Sequence, residues 1–291
     1  TWSGAEVGLG QSDHRDGVVS GALGAVAAAR QEAPARLRAV LGSKPFAAAR
    51  SFALVGVVWW GLALWNDNPI QLPAPPAVFA ALVDVAADGE LLENASISTG
   101  RLVLSLAIAV ALAVPLGFWM GMSRQAAAYI DPVVEMLRPI SGIAWIPLAL
   151  FIFGVGDTLP VFIMTYVAFF PLLLNTIAGV RGVSRRLVQA AETMGVSRAA
   201  IVGRVVLPAA LPSMFVGFRL AFAGAWTAIV AAELIGAPSG LGFAVEWYRQ
   251  LLMTPKIFAY IMAIGFVGYV CDQLLQSLQR RLMPWTERVH R

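Results

Sequence analysis

The sequence predicts an all-α membrane protein with about six transmembrane helices, and three observations support this fold class. Of the 291 residues, 58% are hydrophobic and only 13% are charged, whereas soluble globular proteins carry roughly 25% charged residues. Several nearly uncharged segments have the length of about 20 residues that a helix needs to cross a bilayer. Most lysines and arginines fall in alternate intervals between these segments.

The predicted spans follow one another from residue 46 to residue 275. The first carries Arg50 near its start, the fifth carries Arg219 and the sixth carries Asp272, while the other three are uncharged. A short turn around Gly154–Asp157 separates the third span from the fourth. The predicted spans cover residues 46–65, 102–123, 139–156, 158–180, 209–232 and 257–275.

The distribution of positive charge orients these spans. The intervals on one side of the predicted spans are rich in arginine. The intervals on the other side contain only three basic residues, Arg101, Arg249 and Lys256. The long interval 66–100 has no lysine or arginine, although it contains several acidic residues. Because cytoplasmic loops carry an excess of Lys and Arg, both termini are predicted to be cytoplasmic.

This orientation sets the domain organisation. Residues 1–45 are predicted to be a cytoplasmic tail, since no apolar stretch follows a basic start as it does in a signal peptide. Residues 46–283 form the transmembrane domain, with the basic interval 184–208 on its cytoplasmic side, and residues 284–291 form a second cytoplasmic tail.

Residue types that several kinds of chemistry require are scarce. His14 and His290 lie near the termini, and Cys271 is the single cysteine, so we expect no metal or histidine-based catalytic centre in the body of the chain. Lys44 follows Ser and Lys256 follows Pro, so neither belongs to a Gly-Lys-Ser/Thr phosphate-binding loop. We expect no cofactor in this chain and no nucleic-acid partner.

The interval 184–208 is too polar to span a membrane. Its apolar residues recur at helical spacing up to Gly195, which interrupts the helix. A short helix of this kind could bind in a groove of another protein, or it could lie on the lipid surface as an amphipathic helix. Periodicity leaves both alternatives open. The predicted apolar face comprises Leu187, Ala190, Ala191 and Met194.

The same interval resembles the EAA signature of the membrane subunits of ATP-binding-cassette (ABC) importers. That pattern reads Glu-Ala-Ala, three residues, Gly, nine residues, Ile, any residue, Leu-Pro. The spacing matches throughout, although Gln189 replaces Glu and Val205 replaces Ile. The resemblance implies a coupling helix that inserts into a cleft of the ATPase subunit. The implied coupling residues are Gln189, Ala190, Ala191, Glu192, Gly195, Leu207 and Pro208.

The resemblance extends from about residue 50 to the end of the chain, and it is to the taurine, alkanesulfonate, nitrate and bicarbonate branch. It implies a type I, MetI-like permease that works as a homodimer in a bacterial plasma membrane. Two separate ATPase subunits would bind ATP and Mg, and a periplasmic or extracellular binding protein would deliver a small anion. The matching pieces are residues 72–82, 137–157, 216–243 and 278–285.

Polar side chains within the spans are candidates for the translocation pathway, because such groups are costly in lipid. Trp145 and Trp226 are added as residues that could line a central cavity. Arg219 has three possible roles: binding an anion, extending to the membrane surface or bracing a neighbouring helix. Glu233, at the outer end of the fifth span, either faces water or gates against a second subunit. The candidates are Trp145, Thr165, Asn175, Arg219, Trp226, Thr227 and Glu233.

Two other function classes were weighed against the importer. An ion-coupled secondary transporter or channel predicts acidic residues at the centres of spans. Asp272 lies near an inner end and Glu233 at an outer end, which disfavours that class. A membrane-embedded enzyme is disfavoured because no convincing nucleophile and base occur together.

Overall fold

The structure is a computed structural model that describes residues 44–66 and 68–283, and this part of the chain is helical with no strand. The first helix, α1 (Lys44–Asn66), covers the first predicted span and belongs to one compact unit, while the helices after residue 67 form a second unit. Most of the predicted N-terminal tail and the tail 284–291 lie outside the described residues.

The second unit contains ten α-helices in its described part. A 3₁₀ turn, Gly142–Trp145, precedes α5, and a π turn, Val202–Val206, joins α8 to α9 without a break. In chain order the helices are α2 (Pro75–Ala87), α3 (Glu90–Met122), α4 (Arg124–Leu137), α5 (Ile146–Phe153), α6 (Thr158–Arg181), α7 (Arg185–Thr193), α8 (Arg198–Ile201), α9 (Leu207–Gly236), α10 (Leu241–Gln250) and α11 (Thr254–Leu282).

Four helices of the described part are long and apolar enough to cross a membrane: α3, α6, the continuous helix Arg198–Gly236 and α11. They contain the residues of the second, fourth, fifth and sixth predicted spans, except Ser123, which follows the end of α3. In the core, α6 packs against both α3 and α9, with Met164, Leu173 and Ala221 fully buried between them. The six-span arrangement itself stays a prediction.

The third predicted span, 139–156, is not one helix. The helices before and after its first residues, Arg124–Leu137 and Gly142–Phe153, meet at an angle of 82°. Arg138 is still helical, but Pro139 has no backbone N–H to continue the helix, and Ser141 is extended with ψ 136°. The helices at the predicted span are therefore separated by a bend that apolar content does not register, and the span itself stays a prediction.

Two helices, α2 and α10, lie in intervals between the predicted membrane spans. α2 occupies part of the interval 66–100, and its start at Pro75 suits the first turn of a helix, where the missing N–H of proline leaves no bond unmade. α10 follows the turn at Gly240. α2 packs against α11, and α10 packs against both α9 and α11.

Glycines let α6 and α9 approach closely. A Cβ atom at Gly217 would lie 2.5 Å from Asn175 Cβ, and one at Gly179 would lie 2.9 Å from the carbonyl oxygen of Ala210. Helices in membranes commonly associate through small residues of this kind, because the backbones then pack against each other directly. This contact fixes the position of the helix that carries Arg219, Trp226 and Glu233.

Candidate functional sites

The segment 185–208 forms a short helix, a turn and the start of a long helix. α7 ends at Thr193, and Gly195 adopts the left-handed conformation with φ +71°. The N–H groups of Gly195 and Val196 donate to the carbonyl oxygens of Glu192 and Ala191 at 3.0 and 3.1 Å. A Cβ atom at Gly195 would meet nothing within 4 Å, so glycine is favoured here by the backbone conformation and not by lack of space.

The two faces of α7 have different surroundings. Ala191 is 4% exposed and packs, with Val188, against a cluster that includes Ile201 and Val206. The single apolar face predicted from the sequence is thus divided, because Ala191 turns inward. The residues that remain exposed form a neighbouring stripe, called here the α7 stripe: Leu187, Ala190 and Met194.

Leu207 and Pro208 mark the junction between this segment and α9. The N–H of Leu207 donates to the carbonyl of Val202, five residues earlier, which closes the π turn. Pro208 follows in the first turn of α9 and cannot donate a backbone hydrogen bond. The EAA signature therefore covers the short surface helix α7, the turn at Gly195 and the start of a helix of 39 residues, Arg198–Gly236.

At the opposite end of the bundle, Arg101 of α3 is 5% exposed and uses all five of its N–H donors. Its Nε and Nη2 donate to Asp157 Oδ1 at 3.0 and 2.5 Å. Its Nη1 donates to Glu233 Oε1 at 2.6 Å and to the Ser239 carbonyl at 2.7 Å, and its Nη2 also donates to the Ser239 hydroxyl at 2.9 Å. One guanidinium thus joins α3, the turn before α6, α9 and the turn before α10.

Glu233 is 1% exposed and is bonded from several sides. The Ser98 hydroxyl donates to its carboxylate at 2.9 Å, and so does the N–H of Gly242. Ser98 in turn accepts the N–H of Leu241 at 2.9 Å. The expectation that Glu233 faces water is wrong, because Arg101 and these donors enclose it. We call Ser98, Arg101, Asp157, Glu233 and Ser239 the Arg101 cluster.

Further hydrogen bonds connect this cluster to α10 and α11. The N–H of Gly240 donates to Asn94 Oδ1 at 2.9 Å. The carboxylate of Glu90, one turn earlier on α3, accepts the hydroxyls of Tyr248 at 2.6 Å and Tyr260 at 2.9 Å. Burial and the neighbouring Glu90 raise the pKa of the Tyr248 phenol, so it stays a hydrogen-bond donor at neutral pH. These bonds hold α10 on the start of α3.

Gly240 is the position in this network that tolerates a side chain least. Its φ is +110°, and an added Cβ would lie against the Glu233 carboxylate. We expect Gly240→Ala to lower the unfolding free energy by more than about 3 kcal/mol, since it combines backbone strain with displacement of a buried charge. Thermal unfolding of the purified protein in detergent measures this.

Gly195→Ala is the matched control, because its positive φ lies in open space. It should cost only about 1–2 kcal/mol. Equal losses in the two variants would show that the contact with Glu233 does not matter.

Arg219 of α9 forms an ion pair with Asp272 of α11, in which Nη2 lies 3.2 Å from Oδ1. Gln276 donates to the other oxygen of Asp272 at 2.8 Å. Both charged side chains are partly exposed, at 40% and 35%. Of the three roles considered for Arg219, this geometry favours bracing a neighbouring helix.

The other pathway candidates are dispersed over the helix bundle. Trp145 packs on Tyr166 with ring centroids 5.6 Å apart, and Trp226 packs against Gly268 of α11. The Thr165 hydroxyl lies 3.4 Å from the Ser105 carbonyl.

Asn175 and Thr227 bond to their own helices. Asn175 donates to the Pro171 carbonyl at 2.8 Å, and Thr227 donates to Ala223 at 2.9 Å. Thr227 is exposed, whereas Asn175 is partly buried. Because their contacts lie on different helices, the seven pathway candidates do not line one common cavity in the described part of the chain.

Comparison with known proteins identifies the class. Residues 113–288 match the family described as the binding-protein-dependent transport system inner membrane component. The chain belongs to this family. It is therefore an ABC transporter permease, a transport component and not a catalyst, and the alternatives of a secondary transporter, a channel or a membrane-embedded enzyme are wrong.

Individual relatives agree over most of the chain. A putative ABC transporter permease protein of Methanocaldococcus jannaschii is 37% identical over 80% of this chain and 89% of its own length. The taurine transport system permease protein of Escherichia coli is 35% identical, with 81% and 88% covered. A putative aliphatic sulfonates transport permease protein of the same species is 33% identical, with 82% and 92% covered.

A solved structure shows the same fold. The chain of the MetNI methionine ABC transporter, in an inward-facing conformation, aligns with a TM-score of 0.52 at 18% identity, covering 66% of this chain and 97% of that chain. The prediction of a MetI-like permease fold is confirmed.

Sequence reasoning missed the Arg101 cluster, apart from Glu233. Arg101 was counted only as one of the few basic residues on its side of the membrane, and Asp157 only as part of a turn. The available signal was an arginine immediately before an uncharged span. Its partners lie 56 and 132 positions away, so local patterns do not reveal them.

Proposed function

We propose that this permease is half of a homodimeric importer, with ATPase subunits bound to the segment 185–208 inside the cell and a binding protein outside. The observation that carries this proposal is the α7 stripe: an apolar row on a helix of nine residues, directed away from the bundle it is attached to. A short helix with such a row fits a cleft of another subunit. Gln189 and Glu192 lie on another side of α7, where they line a neighbouring cavity, so the proposed contact rests on the apolar row itself.

The orientation follows from charge. The segment 185–208 begins with Arg185 and Arg186 and also contains Arg198 and Arg204, whereas the opposite end of the bundle has Arg101, Arg249 and Lys256. By the positive-inside rule the first end is cytoplasmic, together with both termini. ATP would be bound and hydrolysed by the partner ATPases.

One face of α9, left exposed by the described residues 68–283, supports a homodimer. Val216 and Leu220 are 50% and 54% exposed, and Ala223 and Thr227 continue the same row at helical spacing. In this proposal the row meets its copy across a two-fold axis and lines the pathway, with Thr227 as its polar residue. Arg219 lies beside the row, where its ion pair with Asp272 braces α9 against α11.

The row can be tested with a single cysteine. In a Cys271→Ser background, Thr227→Cys should form a cross-linked dimer with a short bifunctional reagent in membranes, because residues near a two-fold axis meet their own copies. Thr165→Cys is the control, since Thr165 lies between α3 and α6. Cross-linking of Thr165→Cys and not of Thr227→Cys would refute the proposed dimer face.

The proposed cargo is a small organic anion of the sulfonate class, with nitrate or bicarbonate next. It is supported by identity to permeases named for taurine and aliphatic sulfonates. In proteoliposomes that hold the permease, its ATPase and its binding protein, we expect labelled taurine uptake only with ATP. Uptake driven by an ion gradient in vesicles without the ATPase would refute the proposal.

A further inference from the structure

A cavity of about 1000 Å³ lies beside the segment 185–208, at the ends of α3 and α6. Its volume is that of a site for a small molecule or a lipid headgroup. Four arginines but only two carboxylates contribute to its wall. The charged lining residues are Arg124, Arg181, Arg185, Arg198, Asp131 and Glu192.

The arginines of this cavity are not neutralised from within the described part of the chain. The ion pairs found there involve Arg101, Arg219, Arg249 and Lys256, and none of the four cavity arginines. Arg181 makes one contact, from its Nη2 to the Met120 carbonyl at 3.4 Å. The cavity therefore has an excess of positive charge and many guanidinium donors available.

Three of the arginines lie at helix N-termini, where positive charge is electrostatically unfavourable. Arg124, Arg185 and Arg198 are the first residues of α4, α7 and α8, and none of these helices has an acidic residue in its first turn. The N-terminus of a helix carries partial positive charge, so cations there are repelled and anions are stabilised. The positive-inside rule explains arginines in this interval, but it does not explain their place at helix starts.

An anion in the cavity removes this conflict. It would meet the guanidinium groups and the first backbone N–H groups of α4 and α7, apart from those of Ala126 and Leu187, which already donate to Ser123 and Ser184. Phosphate suits this arrangement best, because guanidinium groups bind it through paired hydrogen bonds. Apolar side chains share the wall, among them Met122, Val188 and Val202, of which Met122 is 57% exposed.

We propose that this cavity binds a phosphate-bearing anion at the cytoplasmic membrane surface, supplied as the headgroup of an anionic phospholipid or as a soluble phosphate compound. The cytoplasmic placement rests on the proposed orientation of the permease. Basic cavities at the ends of membrane helices on that side are suited to anionic headgroups, and the apolar part of the wall suits the adjoining acyl chain. Bound there, the ligand would contact α7 and so stabilise one position of the coupling segment.

The test compares two pairs of arginines in the full-length permease purified with its ATPase. All four arginines are exposed, but Arg185→Gln with Arg198→Gln removes two charges that line the cavity, whereas Arg186→Gln with Arg204→Gln removes two charges of the same interval that do not. Binding of fluorescent phosphatidylglycerol, with phosphatidylcholine as reference and inorganic phosphate as competitor, is measured without transport. A failure here is thus distinguishable from failure of the proposed function.

We expect the cavity pair to weaken phosphatidylglycerol binding at least about tenfold and the control pair less than about threefold. Inorganic phosphate that binds with the same sensitivity to the cavity pair, without a preference for phosphatidylglycerol, identifies a soluble compound as the source. Equal losses in both pairs, or no binding of either probe, overturns the proposal. Dissociation of the ATPase from the cavity pair with unchanged lipid binding also overturns it, because the arginines then belong to the subunit interface.

Discussion

Arg101→Met should abolish transport and lower the unfolding free energy by about 3–5 kcal/mol, the cost of leaving one member of a buried ion pair without its partner. Glu233 is 1% exposed and would keep its charge in an apolar environment with only Ser98 and a backbone N–H as donors. Methionine has a similar length and no donor, so the change removes the hydrogen bonds with little change of volume.

The loss should appear as a lower unfolding midpoint in detergent and as absence of ATP-dependent uptake. Arg249→Met is the matched control, because Arg249 is 66% exposed and pairs only with Glu246 on the surface. Adding Glu233→Met to Arg101→Met should restore much of the stability, since no unpaired charge remains buried. If the double variant is less stable than Arg101→Met alone, Glu233 does not depend on Arg101 for its burial.

Ala190→Asp should reduce ATP-dependent uptake by at least about thirtyfold, equivalent to losing an interface contact of about 2 kcal/mol or more. Ala190 lies in the middle of the α7 stripe, between Leu187 and Met194. An aspartate there would lose its hydration in the proposed ATPase cleft without gaining a partner. The permease itself should stay folded, because Ala190 is exposed in the isolated chain.

Uptake and retention of the ATPase during purification measure this effect. Ala199→Asp is the control: it introduces the same charge at another exposed alanine of the same interval, outside the α7 stripe. A similar loss in both variants would show that any added negative charge weakens binding. Normal uptake by Ala190→Asp would place the ATPase contact elsewhere.

The helix at 185–193 illustrates what the sequence can predict. Its apolar spacing, the glycine at 195 and the Leu207–Pro208 end are all local, so helix, stop and junction follow from short-range rules. Which apolar residues turn inward does not follow, because that depends on where α6 and α9 stand. Ala191 was therefore grouped with Ala190, although Ala191 is buried and Ala190 is exposed.

The Arg101 cluster and the bend at residues 138–141 illustrate what local sequence patterns cannot predict. The charge count located Arg101 on one side of the membrane, but its burial requires four chain segments to meet, and no local pattern encodes that meeting. At the bend, apolar content predicted a span over 139–156, whereas Pro139 and the extended Ser141 decide the path of the backbone. Hydropathy predicts how much of a chain enters lipid better than it predicts where a helix breaks.

The unbroken helix Arg198–Gly236 has a mechanical consequence for the proposed cycle. Its 39 residues extend for about 58 Å at 1.5 Å per residue, well beyond a hydrocarbon core of about 30 Å. Its inner end belongs to the coupling segment, and its outer end holds Glu233 against Arg101. In the proposed cycle, a displacement imposed by the ATPases would be transmitted along this one helix, which is irregular at the π turn 202–206 and contains Pro212. Opening toward the outside then requires no relay between helices, and the stiffness of that turn sets how much of the inner stroke reaches the Arg101 cluster.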